Sequence, residues 1–128
     1  MSTQISVLVI EDEAHIRVAL EYNLKMDGFD VTLTEDGRAG LEKAKEIKPQ
    51  LILCDWMMPE MNGLEVLDEL KKDDELKDVP VFMLTAKGMS GDMEEALEKG
   101  ADDYITKPFD PLKLGEMLRE KLKGKVKI

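Results

Sequence analysis

Five short, nearly continuous apolar runs alternate in this chain with longer stretches whose apolar residues recur every three or four positions. That alternation leaves few architectures open. A run with no polar residue at every second place suits a strand buried on both faces, as in a parallel sheet covered by helices. Ile5–Ile10 reads as the central strand; Phe29–Leu33, Leu51–Cys54 and Val79–Leu84 follow, and Ala101–Thr106, the least apolar, suits a sheet edge. Between them, Ile16, Leu20 and Leu24 share one helical stripe that stops near Asp27-Gly28. Asp36-Gly37 opens a second helix with Ala44 and Ile47 on its stripe, closed by Lys48-Pro49. A loop through Pro59 and Gly63 leads to a helix carrying Leu64, Leu67 and Leu70, with 71–75 as solvated connection. Ser90 or Gly91 starts the fourth helix, which runs through Leu97 to a cap at Gly100. Asp110-Pro111 starts the last helix, with Leu114, Met117, Leu118 and Leu122 on its inner face. The pattern predicts an α/β fold: a doubly wound, five-stranded parallel sheet with five helices on both faces, joined by right-handed crossovers.

Composition narrows the setting. A length of 128 residues with 43% hydrophobic content suits one domain with a single core. Residues 1–122 are expected to form it, with 123–128 a basic tail or the start of a linker. Eighteen basic against 28 acidic residues leave a formal charge of −10, which disfavours non-specific binding to nucleic acid or to an anionic membrane. The lone cysteine, Cys54, has no internal disulfide partner, and no stretch reads as a signal peptide or membrane span. The expected location is the cytoplasm.

The ends of the apolar runs carry the chemistry. They terminate in Glu11-Asp12, Asp55, Thr85-Ala86 and Lys107-Pro108. In an open parallel sheet the carboxyl ends of all strands lie along one edge, where ligands bind, so residues far apart in the chain converge there. A carboxylate that accepts a phosphoryl group, acids that hold a divalent cation, and a hydroxyl and an ammonium for the phosphoryl oxygens form one coherent set.

Four segments, Val7-Leu8-Val9-Ile10-Glu11-Asp12-Glu13, Asp55-Trp56-Met57-Met58-Pro59 with Asn62-Gly63, Leu84-Thr85-Ala86, and 100–109 (GADDYITKPF), together resemble the receiver domains of two-component response regulators. They span residues 5 to 109 in the right order. The DDYITKPF segment resembles receivers fused to winged-helix transcription regulators. The resemblance implies a fold like that of chemotaxis regulators, with strand order 2-1-3-4-5. It also implies a phosphoryl-accepting signalling switch, not an enzyme acting on a separate substrate, although such domains catalyse their own phosphorylation and dephosphorylation. A sensor histidine kinase or a histidine phosphotransfer protein is the implied donor, the downstream effector is left open, and the implied state is a monomer or a weak dimer dependent on phosphorylation. Met93, Lys113, Met117 and Gly124 stand where charged dimer partners would be expected.

Residue by residue, the resemblance implies Asp55 as phosphoacceptor. Glu11, Asp12, Asp55 and the main-chain carbonyl of Met57 are implied to hold Mg²⁺, with Mn²⁺ able to substitute. Three ionised carboxylates would otherwise repel an incoming phosphoryl group. Glu at position 11 is one methylene longer than Asp, which leaves direct and water-mediated contact both open. Lys107 and Thr85 are implied to meet the phosphoryl oxygens, aided by the backbone amides of Met57 and Ala86. Thr85 and Tyr104 would transmit the change to the face formed by helix 4, strand 5 and helix 5. Met57 and Lys87, each two positions beyond a key residue, would set the lifetime: an apolar Met cannot orient an attacking water. The Lys107-Pro108 bond is implied to be cis.

Plainer readings compete at several positions. Glu11-Asp12-Glu13 in isolation would be a solvated turn, and Asp55 alone a helix cap. Tyr104 would otherwise be an edge aromatic, His15 is a surface helix residue, Cys54 inert packing, and Trp56 a partly exposed loop aromatic. A haloacid-dehalogenase-type phosphatase would need a second Asp where Met57 stands. A flavodoxin-like nucleotide binder would need a Gly/Ser/Thr-rich loop in place of Glu11-Asp12-Glu13. A degenerate receiver acting only as a binding module would lack part of the acid, hydroxyl and lysine set, which is intact here.

Overall fold

The computed structural model describes residues 4–86, 90–107 and 109–123, with the main chain alone at 86 and 90–93. Strands and helices alternate from β1 (Ser6–Ile10), α1 (Ala14–Met26), β2 (Asp30–Thr34) and α2 (Gly37–Ile47) to β3 (Leu51–Asp55) and α3 (Gly63–Lys72). They continue through β4 (Val81–Ala86), α4 (Ser90–Glu98), β5 (Asp103–Lys107) and α5 (Pro111–Leu122). The strands form one sheet in the order β2-β1-β3-β4-β5, every pairing parallel. The order and the five helices are those expected, but the middle strand is β3 and not β1, which lies between β2 and β3.

Strand geometry divides the core into two layers. Successive side chains of a strand point to opposite faces, so Val7 and Val9 of β1 join Leu20, Leu24, Leu114, Leu118 and Leu122 on the side of α1 and α5. Leu8 and Ile10 join Ala44, Val66, Leu67 and Leu70 on the side of α2 and α3. Each layer removes a full set of aliphatic side chains from water, which stabilises the fold at ~25 cal/mol per Å² of apolar surface.

Local signals explain most boundaries. Asp36 caps α2, accepting from the Ala39 amide at 2.8 Å, and Asp110 caps α5, accepting from Leu112 at 3.0 Å. Asn62 and Glu65 form a reciprocal capping box at the start of α3. Gly28 and Gly100, with φ of +89° and +114°, turn the chain after α1 and α4.

Several boundaries differ from the expectation. β4 starts at Val81 instead of Val79, because the Val79 amide is taken by a turn bond to Leu76 and Pro80 has no N–H to give. β5 starts at Asp103, since Asp102 is engaged with Val81 through both its amide and its carboxylate. Ile47 is 38% exposed and does not extend the buried stripe of α2. That stripe is Gly37, Gly40 and Ala44, small residues that let α2 lie close against β1: a Cβ at Gly40 would sit 2.5 Å from Ile10 Cδ1. Ile47 falls in the last turn, just before Lys48 redirects the chain with φ +47°.

Trp56 is buried, not partly exposed. Its amide still bonds the Leu84 carbonyl at 3.0 Å, so the ladder continues past Asp55, and the two-residue period puts Trp56 in the same layer as Cys54.

Candidate functional site

The site is made by strand ends. β1 delivers Glu11 and Asp12, β3 ends on Asp55, β4 carries Thr85, and β5 ends on Lys107. Pairing of Ile10 with Cys54, and of Asp55 with Leu84, aligns those ends along the carboxyl edge of the sheet. Glu11, Asp12 and Asp55 each offer a carboxylate oxygen, and the three oxygens lie within 4.8 Å of one another. Lys107 joins them: its Nζ donates to Asp55 Oδ1 at 3.1 Å and lies 2.9 Å from Glu11 Oε1. The second Glu11 oxygen accepts from the Glu13 amide at 3.1 Å, which turns the longer glutamate arm back over its own loop.

Burial gives these charges their force. Glu11 is fully buried and Asp55 is 3% exposed. Burial pushes the Asp55 carboxyl up to about 7, and the negative charge and hydrogen bonding of Glu11 add to the rise, while Lys107 works against it. Burial acts to lower the Lys107 ammonium, but its contacts with Glu11 and Asp55 outweigh that effect and hold it above its ordinary value.

One lysine does not satisfy the cluster. Asp12 Oδ1 and Thr85 Oγ1 are buried polar atoms with no hydrogen-bond partner among the described residues, and Glu11 Oε1 has only the Lys107 ammonium beside it. Unpaired buried oxygens are costly and mark places where a ligand is to be received. Asp12 belongs to the carboxylate cluster, and an all-oxygen donor set of this charge fits a small hard cation.

The other expected residues lie around this centre. Met57 is 65% exposed at the start of the β3–α3 loop. That loop folds tightly, the Gly63 amide bonding the Trp56 carbonyl at 2.9 Å where a Cβ would stand 2.5 Å from the Asp55 carbonyl oxygen. Tyr104 is at the surface of the edge strand β5, paired in register with Met83, while Thr85 is buried opposite Thr106. Lys87, Pro108 and Gly124, and the side chain of Met93, lie outside the described residues. His15 is exposed on α1, and burial keeps the Cys54 thiol far above its ordinary value and so protonated.

Nothing in the sequence singled out Arg17. Its Nη1 donates to the carbonyls of Glu11 at 2.8 Å and Asp12 at 2.9 Å, and its Nη2 lies 3.6 Å from Glu35 Oε2. Helical side chains point back toward the helix N-terminus, which is the only sequence-level hint that an arginine in the first turn could reach the preceding loop.

The sequence pattern of the response regulator receiver domain matches residues 7–119. The chain is a response regulator receiver domain. Such a domain is the phosphoryl-accepting switch of two-component signalling. The receiver is 44% identical over 108 residues to the phosphate regulon transcriptional regulatory protein PhoB of Escherichia coli, covering 84% of this chain and 47% of that protein. It is 45% identical over 105 residues to the alkaline phosphatase synthesis transcriptional regulatory protein PhoP of Bacillus subtilis, covering 82% of this chain and 43% of that protein. The receiver thus spans about half the length of the curated relatives it matches. Among solved structures, the chemotaxis response regulator CheY4 of Vibrio cholerae superposes with a TM-score of 0.88 at 31% identity, over 94% of this chain and all of that one.

Proposed function

We propose that Asp55 is the phosphoacceptor of this receiver, taking a phosphoryl group from the phosphohistidine of a sensor histidine kinase or a histidine phosphotransfer protein. The observation that supports this most is the meeting of Glu11, Asp12, Asp55 and Lys107, from three different strands, in one buried cluster with an unpaired oxygen on Asp12. A carboxylate oxygen of Asp55 attacks phosphorus, the P–N bond breaks, and its electron pair returns to the imidazole, which takes up a proton. Lys107 gives up its hold on Asp55 Oδ1 to meet the phosphoryl oxygens, and the Thr85 hydroxyl, which lacks a partner among the described residues, donates to another. The backbone amides of Met57 and Ala86 add oriented donors that need no rearrangement. Glu11, Asp12, Asp55 and the Met57 carbonyl would hold one Mg²⁺, with Mn²⁺ as a substitute. When bound, the ion supplies positive charge against the carboxylates and the transferring group.

The chain's own groups catalyse both the phosphorylation and the later hydrolysis, with Met57 and Lys87 setting the lifetime and Thr85 and Tyr104 carrying the state to the α4, β5 and α5 face. Residues 1–122 would be the switching unit, with 123–128 a basic tail or the start of a linker. A charge of −10 argues against direct contact between this unit and nucleic acid. Among the described residues no helix is long and apolar enough to cross a membrane, and a cytoplasmic setting suits a kinase-fed switch. The downstream effector would read the altered face, on a monomer or on a weak dimer that phosphorylation favours.

The test is intact mass after incubation with Mg²⁺ and acetyl phosphate. The expected result is the mass gain of one phosphoryl group in the wild type and none in Asp55→Asn. No gain in the wild type, or an equal gain in the variant, overturns the assignment.

A further inference from the structure

We infer that Arg17 is a positioning residue for the cation site: it holds the main chain of Glu11 and Asp12 in the arrangement that turns both carboxylates toward Asp55, and so sets affinity and selectivity for Mg²⁺. The inference rests on the assignment of Glu11, Asp12 and Asp55 as ligands.

The geometry makes the case through what Arg17 touches and what it leaves alone. One guanidinium nitrogen serves two successive carbonyls, those of Glu11 and Asp12, and thereby fixes the orientation of one peptide unit relative to the next. The other terminal nitrogen faces Glu35 on the loop after β2, and from β2 itself the Thr34 carbonyl accepts the Glu11 amide at 3.1 Å. The acidic loop is therefore held between α1 and β2. Guanidinium is a rigid planar fork whose charge is permanent, so this hold does not depend on a rotatable point charge.

The contact is made to carbonyls and not to carboxylates. An arginine paired with Glu11 or Asp12 side chains would compete with a cation for the same oxygens. Here Asp12 Oδ1 remains without a hydrogen-bond partner among the described residues, and Glu11 Oε1 is met by the Lys107 ammonium, not by Arg17. Three clustered carboxylates repel one another, and Asp12, only half-buried, could relieve the strain by turning to water. Arg17 opposes that relaxation while consuming no ligand atom.

Rigidity discriminates between cations. Mg²⁺ demands near-ideal octahedral placement of its oxygens, whereas Ca²⁺ tolerates varied geometry and coordination number. A loosened loop therefore costs Mg²⁺ binding more than Ca²⁺ binding.

The experiment titrates Mg²⁺ and Ca²⁺ by calorimetry into wild type, Arg17→Met, Arg17→Lys and Glu35→Ala, with amide exchange at Glu13 followed in the metal-free proteins. Arg17→Met is expected to weaken Mg²⁺ roughly tenfold, the usual scale for groups that orient metal ligands, and Ca²⁺ by less than about threefold. Arg17→Lys is expected to recover only part of the lost Mg²⁺ affinity, because an ammonium can still donate to the carbonyls but lacks the rigid fork. The Glu13 amide, bonded to Glu11 Oε2, exchanges faster in Arg17→Met while melting in EDTA shows the fold retained. Glu35→Ala removes a largely exposed ion-pair partner, shifts Mg²⁺ affinity in the same direction by about twofold, the scale of an exposed pair, and decides the matter should Arg17→Met fail to fold. Unchanged Mg²⁺ affinity, or equal losses for both cations with Glu13 exchange unaltered, overturns the inference. A wild type that binds no Mg²⁺, with Glu13 exchange still accelerated by Arg17→Met, instead overturns the ligand assignment and leaves the hold on the loop standing.

Discussion

At the scale of single residues, Asp55 carries a conflict that function requires. A buried carboxylate beside Glu11 is a poor resident of a fold, and the rise of its carboxyl to about 7 expresses that. The folded state therefore holds the proton more tightly than the unfolded chain, whose Asp titrates at 3.8. Stability of the metal-free protein is greatest when Asp55 is protonated and is lost as pH rises from about 4 through about 7. Asp55→Asn keeps the neutral shape at every pH. In EDTA at pH 8 it is expected to be more stable than wild type by on the order of 1–2 kcal/mol, a few degrees in Tm, with the difference vanishing near pH 4. Thermal melts across that range check this, and a variant no more stable at pH 8 would contradict the burial argument. Met57, two positions on, is proposed to govern persistence rather than formation. Its thioether is exposed beside the acceptor and offers no strong acceptor to orient a water. Met57→Asn is expected to shorten the half-life of the phosphorylated form several-fold, on the order of 1 kcal/mol in the barrier, as read by the decay of the phosphorylated mass.

At the scale of elements, the legible and the illegible parts of the chain separate by whether a residue's role is set by its own strand or by a neighbour. The strand runs could be read because helices cover both faces and every position must be apolar. Glu11, Asp12, Asp55, Thr85 and Lys107 could be read because polar residues at the ends of such runs have only the sheet edge to occupy. Trp56 reads as a loop residue and does lie just past β3, but its amide bonds the Leu84 carbonyl, a tertiary contact that keeps the ring in the core. Ile47 fits a helical stripe, but its helix packs through Gly37 and Gly40, whose contribution is the closeness they permit. Arg17 acts through main-chain carbonyls, which have no sequence identity to betray them. The strands β4 and β5 carry the next prediction. Thr85 is buried with its hydroxyl lacking a partner among the described residues, while Tyr104 on the adjacent strand stands at the surface, the starting arrangement for the coupled movement proposed above. Thr85→Ala and Tyr104→Ala are each expected to make the affinity for the effector less dependent on phosphorylation, by about fivefold or more, the low end of ordinary allosteric coupling. Binding assays with phosphorylated and unphosphorylated protein measure it, and unaltered ratios in both variants refute the coupling.

At the scale of the whole molecule, a cation held by the same cluster would link ligand binding to folding. β1, β3 and β5 each bring charge to one edge, so the site exists only when the sheet is assembled. The unfolded chain scatters Glu11, Asp12 and Asp55 over more than forty residues and has no comparable affinity for a single ion. A cation that binds the folded form alone must stabilise it by mass action, by about 2.7 kcal/mol when its free concentration is a hundred times Kd. For a domain of this size that is roughly 10 °C in Tm. The Mg²⁺-dependent rise should be largest above pH 7, where Asp55 is ionised and its unpaired charge weighs most on the metal-free fold, and smaller near pH 5, where a proton already occupies the carboxyl. Asp12→Asn removes one ligand charge without touching the core and should diminish the rise at every pH. Melting curves with and without Mg²⁺ at the two pH values distinguish this from a generic salt effect, which would act alike on wild type and variant; an equal rise in both would mean that the acids at the sheet edge do not act together as one cation site.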